Sequence, residues 1–488
     1  MSRLIVVSNR VQPPADEGAA NQGGLAVALS SALRATNGIW FGWSGEETDH
    51  FTGHINLRRS HGVTTATIDL EEQDTEEYYN GYANRTLWPL FHERLDLARF
   101  QRGFEGGYQR VNQRFADTLR PLIEPDDVLW VHDYHLIPLA RALRTKGVGN
   151  RLGFFLHIPW PTTRLLLSLP HHRELVESLF SYDVIGFQTL EWLESFRHYA
   201  LHQLGAEVRA DGTIRYKGRT VRTLECPIGI DAAAFRAMAN EEPARRAYAD
   251  MMRSADGRAM ILGVDRLDYS KGLQERFLGY EHFLAENPDW REKVFLLQIA
   301  PPSRENVKSY QRIRAQLDAL SGRINGEYAS ADWVPIRYVN KGYPRDTLAG
   351  MYRAARIGLV TPLRDGMNLV AKEYVAAQDP ENPGVLVLSL FAGAAAQLRE
   401  ALLVNPHSAE DVADAIARGL AMPKDERIGR WRALMDRVET EDVAWWLHRF
   451  VAVLTDSGPE GEPESARGDS ALREAPKPAG ESEADGPA

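Results

Sequence analysis

Ile357-Gly358-Leu359-Val360-Thr361-Pro362-Leu363-Arg364-Asp365-Gly366-Met367-Asn368-Leu369-Val370-Ala371-Lys372-Glu373-Tyr374 is the stretch whose reading decides the fold. Its first four residues are apolar and stop at Pro362, the pattern of a short strand buried in a parallel sheet. Gly366 suits a tight turn, and Asn368 suits the N-cap of a helix continued by Leu369, Val370, Ala371 and Tyr374. A helix starting there aims unpaired N–H groups and the positive end of its dipole into the crevice at the carboxyl edge of the sheet, where phosphate is readily held. Glu373, one turn in, has two readings: a carboxylate that accepts from ribose hydroxyls, or an acid placed to suit the dipole.

The same strand, loop and helix pattern recurs outward from this stretch. Met260 to Val264 is an apolar run followed by Asp265-Arg266-Leu267-Asp268-Tyr269-Ser270-Lys271-Gly272 and a helical spacing of Leu273, Phe277, Tyr280 and Leu284. Arg266 and Lys271 can reach one diphosphate from that loop, which lacks the P-loop spacing. Further strands are expected at Val294 to Ile299, followed by Arg304, and at Val385 to Leu388. In the first half, Leu4 to Ser8 runs into Asn9-Arg10 and, after a polar loop, Gly23-Gly24 before Leu25 to Leu29. Val128 to Val131 delivers His132-Asp133-Tyr134-His135, and Gly153 to Leu156 delivers His157-Ile158-Pro159. The spacing of His132, Asp133, His135 and His157 matches no metal motif. Trp40 to Gly45, Glu77-Tyr78-Tyr79-Asn80 and Leu87 to His92 are dense in aromatic rings, which serve packing or the faces of sugars.

At 488 residues the chain exceeds what one core supports, so two α/β domains are expected, with the breakers of Pro227 to Asp231 between them. Residues 1–229 form the first, 230–438 the second, and an amphipathic helix at 439–455, carrying Trp445, Trp446, Phe450 and Leu454, closes the chain. Residues 456–488 hold nine acidic and three basic side chains among Pro, Gly, Ser and Ala, the composition of a disordered tail. That tail carries −6 of the net charge of −10, so bulk charge argues against non-specific nucleic-acid binding, and an anionic ligand must be held by local Arg and Lys. The one cysteine, Cys226, excludes an internal disulfide and, between Leu224 and Ile228, reads as a buried thiol. No apolar run has the length of a membrane helix and Met1 to Val7 is too short for a signal peptide, so a cytoplasmic protein is expected.

Taken together, Ser8-Asn9-Arg10, Gly23-Gly24-Leu25, Trp40 to Gly45, Glu77 to Asn80, His132 to His135, His157 to Pro159, Arg266 to Gly272 and Thr361 to Tyr374 make the chain, from Met1 to about Leu454, resemble the trehalose-6-phosphate synthases. The resemblance implies a GT-B fold, two Rossmann-like domains facing across a cleft, and a retaining glycosyltransferase that moves glucose from UDP-glucose to glucose 6-phosphate. It places the acceptor on Arg10, Tyr79, Trp88, Asp133 and Arg304. It places the donor on Gly23, Gly24, Arg266, Lys271, Tyr343, Asp365, Leu369, Val370, Ala371, Lys372 and Glu373, with the diphosphate on the cations and the ribose on Glu373. Asp133, His157, Arg266, Lys271 and Asp365 surround the reacting centre; no cofactor or metal is implied, and a homo-oligomer, dimer or tetramer, is. The rivals are a glycosidase built on Asp133, Asp365 and Glu373, for which paired cations at a helix start have no use, a non-catalytic sugar-phosphate sensor, and the same fold with glycerol 3-phosphate or a cyclitol phosphate as acceptor. Trp160 and Arg164 depart from the family's usual Phe and Glu, and no phosphatase domain follows.

Overall fold

Two sheets, each wound about its own first strand, organise the chain. The computed structural model describes residues 2–11, 29, 33–34, 36–60, 62–302 and 308–456. Gly23, Gly24, Arg304 and the tail beyond Asp456 therefore lie outside the described residues.

Among those residues the first sheet has ten strands. They are β1 (Leu4–Arg10), β2 (Ile39–Thr48), β3 (Asn56–Ser60), β4 (Val63–Glu71), β5 (Val128–His132), β6 (Arg151–Phe155), β7 (Val184–Phe187), β8 (Glu207–Val208), β9 (Thr213–Tyr216) and β10 (Arg219–Glu225). Their spatial order is β3-β4-β2-β1-β5-β6-β7-β10-β9-β8, with β4 to β10 parallel and only the margins β3, β9 and β8 antiparallel. The central strands are buried on both faces, which is why they read as continuous apolar runs.

The second sheet is wholly parallel: β11 (Ala259–Val264), β12 (Val294–Ile299), β13 (Ile336–Val339), β14 (Ile357–Val360), β15 (Val385–Ser389) and β16 (Leu402–Val404). Its order, β13-β12-β11-β14-β15-β16, is that of the doubly wound dinucleotide-binding fold. The order reverses between β11 and β14; in the first sheet it reverses between β1 and β5. Loops leaving such neighbouring strands part to opposite faces and open a crevice.

The chain crosses between the sheets through Pro227 to Asp231 and is held there by both halves. Ile228 donates its N–H to Gln188 Oε1 (2.8 Å), accepts from Lys372 Nζ at its carbonyl (2.7 Å), and Ile230 O accepts from Val443 N (3.2 Å). The closing helix differs from the expected one. A helix runs over Lys424–Thr440, through the expected start at Glu439, and the last helix is Val443–Thr455, because Asp442 Oδ1 caps it at Trp445 N (2.7 Å). Trp446, Phe450 and Leu454 are buried, with Phe450 stacked on Trp130 of the first sheet at 4.5 Å between ring centroids. Trp445 stays half-buried beneath Arg449. Cys226 is buried against Trp446 O, and burial pushes its thiol up to about 12. Trp160 fills a core of rings from Phe91, Phe187 and Phe196, while Arg164 is exposed. Among the described residues no helix is long and apolar enough to cross a membrane.

Candidate active site

The two switch points meet. Gly366 is needed for approach rather than for a turn: its backbone takes no left-handed conformation, but a Cβ there would collide with the His157 carbonyl oxygen of the facing lobe. Beside it Arg364 reaches Glu93 (3.0 Å) and Glu191 (3.3 Å) across the gap, and Arg94 lies over the Tyr269 ring at 5.6 Å. Glu93 itself has φ 60, a backbone state that a non-glycine residue adopts only when its surroundings hold it.

On the second lobe, β14 ends at Val360 and Asn368 (φ 74) caps the helix Leu369–Ala377, its side chain accepting from Ala371 N at 3.3 Å. The Asn368 amide also donates to Asp365 Oδ2 (2.9 Å), and Lys271 Nζ reaches the same oxygen at 2.6 Å. Burial acts to raise the Asp365 pKa, but Lys271 and Asn368 outweigh it and hold the group below the usual carboxylate range. Lys271 is itself nearly buried, at the end of a loop closed by Gly272 (φ 63), which sits against the Thr361 carbonyl. Arg266 is exposed at the mouth of that loop.

Beneath both loops lies Arg276, fully buried, which sequence reasoning missed. It donates to Asp265 Oδ2 (2.6 Å), Gln298 Oε1 (2.8 Å) and Thr361 Oγ1 (3.0 Å), the first residues beyond or within the ends of β11, β12 and β14. One guanidinium thus locks three strand ends at the mouth of the crevice.

Glu373 lies one turn into the helix, with Arg345 Nη2 at 3.0 Å. Tyr343, two residues before Arg345, is half-buried near the Lys341 ammonium. Leu369 and Val370 are partly exposed at the helix end, but Ala371 has its N–H capped and its side chain buried. The Lys372 side chain points into the lobe crossing, where burial pulls its pKa down to about 7 against the opposing pull of Glu441, so only its backbone is left to meet a donor. Five consecutive helical residues cannot all face one crevice, since each turns 100° from the last.

On the first lobe, Arg10 is exposed at the end of β1, its guanidinium packed along Gly45 and 5.6 Å from the Trp43 ring. Tyr79 belongs to a π-helix, Thr75–Leu87, and stacks on His135 at 6.0 Å. Helices wound this way are rare and concentrate at functional sites. The neighbouring Tyr78 donates to Asn9 Oδ1 (2.6 Å), fixing the turn that carries Arg10. Trp88 is buried between Tyr134 and His92. Asp133 has φ 76 and accepts from His157 N at 3.2 Å. His132 Nδ1 and His157 Nε2 are 3.0 Å apart, both rings kept neutral by burial, so one ring donates its N–H to the bare nitrogen of the other. His92, buried near Asp268, Asp365 and Lys271, is pushed down to about 4, and it too escaped the sequence reading.

Two crevices are opposed, one with a helix end and the Lys271–Asp365 pair, the other with an exposed arginine beside aromatic rings. The model of glycosyltransferase family 20 matches residues 2–456. The chain belongs to that family.

Relatives of this family 20 chain agree along its length. A trehalose-6-phosphate synthase of Sinorhizobium fredii is 49% identical over 460 residues, covering 94% of this chain and 99% of the relative. An alpha,alpha-trehalose-phosphate synthase (UDP-forming) from Burkholderia xenovorans, solved in complex with glucose-6-phosphate, is 48% identical with a TM-score of 0.89, covering 93% of this chain and 100% of that one. An Escherichia coli structure bound with UDP-2-fluoro glucose is 46% identical, with a TM-score of 0.89 and coverage of 93% and 99%. The family 20 chain therefore has the GT-B arrangement expected of it, and its two sheets are the two Rossmann-like halves.

Proposed function

We propose that the chain transfers glucose from UDP-glucose to glucose 6-phosphate with retention, releasing α,α-trehalose 6-phosphate and UDP. The observation that carries this reading is the Lys271–Asp365 pair at the end of the helix Leu369–Ala377, directly opposite His157 and Asp133. The relatives solved with glucose-6-phosphate and with UDP-2-fluoro glucose support one ligand for each crevice.

The difficult event is departure of a diphosphate from the anomeric carbon. Lys271, Arg266 and the N–H groups of Leu369 and Val370 meet that developing charge where water is excluded. Asp365, poised on Lys271 before the donor arrives, gives up part of this contact to the diphosphate and turns toward the hydroxyls of the transferred glucose. Glu373 takes the ribose, and Tyr343 lies by the base. Arg10, Tyr79 and Arg304 take the phosphate of the acceptor, with Trp88 and Asp133 at its sugar, and Gly23 and Gly24 offer N–H groups to the donor diphosphate. Attack is then effectively intramolecular. The acceptor hydroxyl enters on the face the diphosphate leaves and passes its proton to the departing phosphate oxygen, so no protein nucleophile is required. His157, neutral, contributes a hydrogen bond rather than a charge. The lobes are 1–229 and 230–440, the helix Val443–Thr455 returns to the first, and the enzyme works in the cytoplasm as a homo-oligomer.

The test is UDP release from UDP-glucose with a panel of phosphorylated acceptors, with the product characterised by NMR. Turnover with glucose 6-phosphate and an α,α-linked product is expected. Turnover with glycerol 3-phosphate but not with glucose 6-phosphate would overturn the acceptor assignment.

A further inference from the structure

Glu373 lies at the crevice wall and is only slightly exposed, a costly place for a carboxylate unless something holds it. Arg345, the first residue of the helix Arg345–Ala354, supplies that hold. Its Nη2 and Nε converge on Glu373 Oε1 at 3.0 and 3.3 Å. The guanidinium is itself fixed, its carbon 5.0 Å from the centre of the Phe235 ring. Tyr352, two turns on in the same helix and buried, lies close enough to act on the same carboxyl, helping to lower it. A carboxylate oxygen gripped by two nitrogens of one packed guanidinium is held in one orientation.

We infer that Arg345 is a positioning residue for the donor: it fixes the Glu373 carboxylate beside the end of the helix Leu369–Ala377, so that one rigid wall meets the vicinal hydroxyls of a nucleoside diphosphate sugar. This rests on the proposed reading of Glu373 as the ribose contact. Arg345 acts through Glu373, on the nucleoside, away from the anomeric carbon. Its loss therefore weakens donor binding in the ground state and the transition state alike, which raises KM and leaves kcat nearly unchanged.

The electrostatics point the same way. Burial pushes the Glu373 carboxyl up, and Arg345 and Tyr352 pull it back. Asp265, the other carboxylate whose charge bears on Tyr352, is itself engaged by Arg276. Without Arg345 the carboxyl would hold its proton to a higher pH and would meet a diol as a weaker acceptor.

The experiment compares Arg345→Met, Arg345→Lys and Glu373→Gln by steady-state kinetics from pH 6 to 8.5, with thermal unfolding of each. For Arg345→Met we expect a rise of about tenfold or more in KM for UDP-glucose, with kcat within about twofold and KM for glucose 6-phosphate unchanged. The donor KM of this variant should fall as pH rises, while that of the parent stays flat, and Arg345→Lys should recover most of the loss. A fall in kcat at unchanged donor KM, a pH profile parallel to the parent's, or a lysine variant no better than methionine would overturn the inference. Should Arg345→Met fail to fold, the lysine variant is judged by the same KM-against-kcat split. Glu373→Gln separates the two readings: an unchanged donor KM there sinks the ribose assignment and the inference with it, whereas a raised one beside an unaffected Arg345→Met sinks the inference alone.

Discussion

Lys271 is paired within the protein. Its ammonium is 2.6 Å from Asp365, and both side chains are largely screened from water, so the two charges satisfy each other. A diphosphate offers the same ammonium a stronger anion and frees Asp365 for the sugar. Lys271→Ala should therefore reduce kcat by well over tenfold, more than about 1.4 kcal/mol of barrier, in a single-turnover assay of UDP release; an unchanged rate would make Lys271 a structural partner of Asp365 alone. Arg266, Lys271 and Asp365 were legible in the sequence because each follows a strand that the apolar pattern makes plain. Arg345 was not, since it meets Glu373 from 28 positions away and neither residue is unusual on its own. Lys372 was legible in principle: it and Glu373 are consecutive in one helix and must face different ways.

The element that carries the proposed donor residues, β14 with its loop and the helix Leu369–Ala377, took the form its residues predict, a buried strand, an Asn cap and a helix. The cap does more than end a helix. At φ 74 the Asn368 backbone is in a state that costs alanine roughly 1 kcal/mol or more, and its side chain ties the helix to Asp365. Asn368→Ala should thus lose about 2 kcal/mol of stability, from the cap and the backbone together. Asn368→Gly should lose clearly less, because glycine accepts the backbone state and is itself a tolerable cap. Urea unfolding of both variants checks this; equal losses would mean the backbone state carries no strain. Two features of this scale escaped prediction. Gly366 was assigned to a turn when its reason is a carbonyl on the other lobe, and the π-helix carrying Tyr79 has no periodicity by which a helix of ordinary pitch could be told from it.

Across the whole molecule, contacts between lobes join residues too distant in the chain for any local pattern to pair them: Arg364 with Glu93 and Glu191, Arg94 with Tyr269, Phe450 with Trp130. The sheets themselves were foreseeable from their strands; their docking was not. That junction also encloses His92, which gives stability a pH dependence. Its native pKa is about 4 where the unfolded chain titrates near 6.5, so between those values the unfolded state binds the extra proton. Stability from neutral His92 is complete above about pH 6.5 and is lost as pH falls through this window. His92→Gln should therefore be less sensitive to acid than the parent when urea unfolding is compared at pH 7.5 and pH 5. Parallel losses in the two proteins would mean that His92 titrates normally.

The account depends on phosphorylated sugars being gripped from both lobes at once, and a crystal structure with UDP and glucose 6-phosphate together tests that most directly. It should show the diphosphate on Arg266, Lys271 and the helix end at Leu369, with Lys271 drawn from Asp365, and the acceptor phosphate on Arg10. A nucleotide bound outside the gap, or Arg10 turned to solvent with glucose 6-phosphate present, would contradict it.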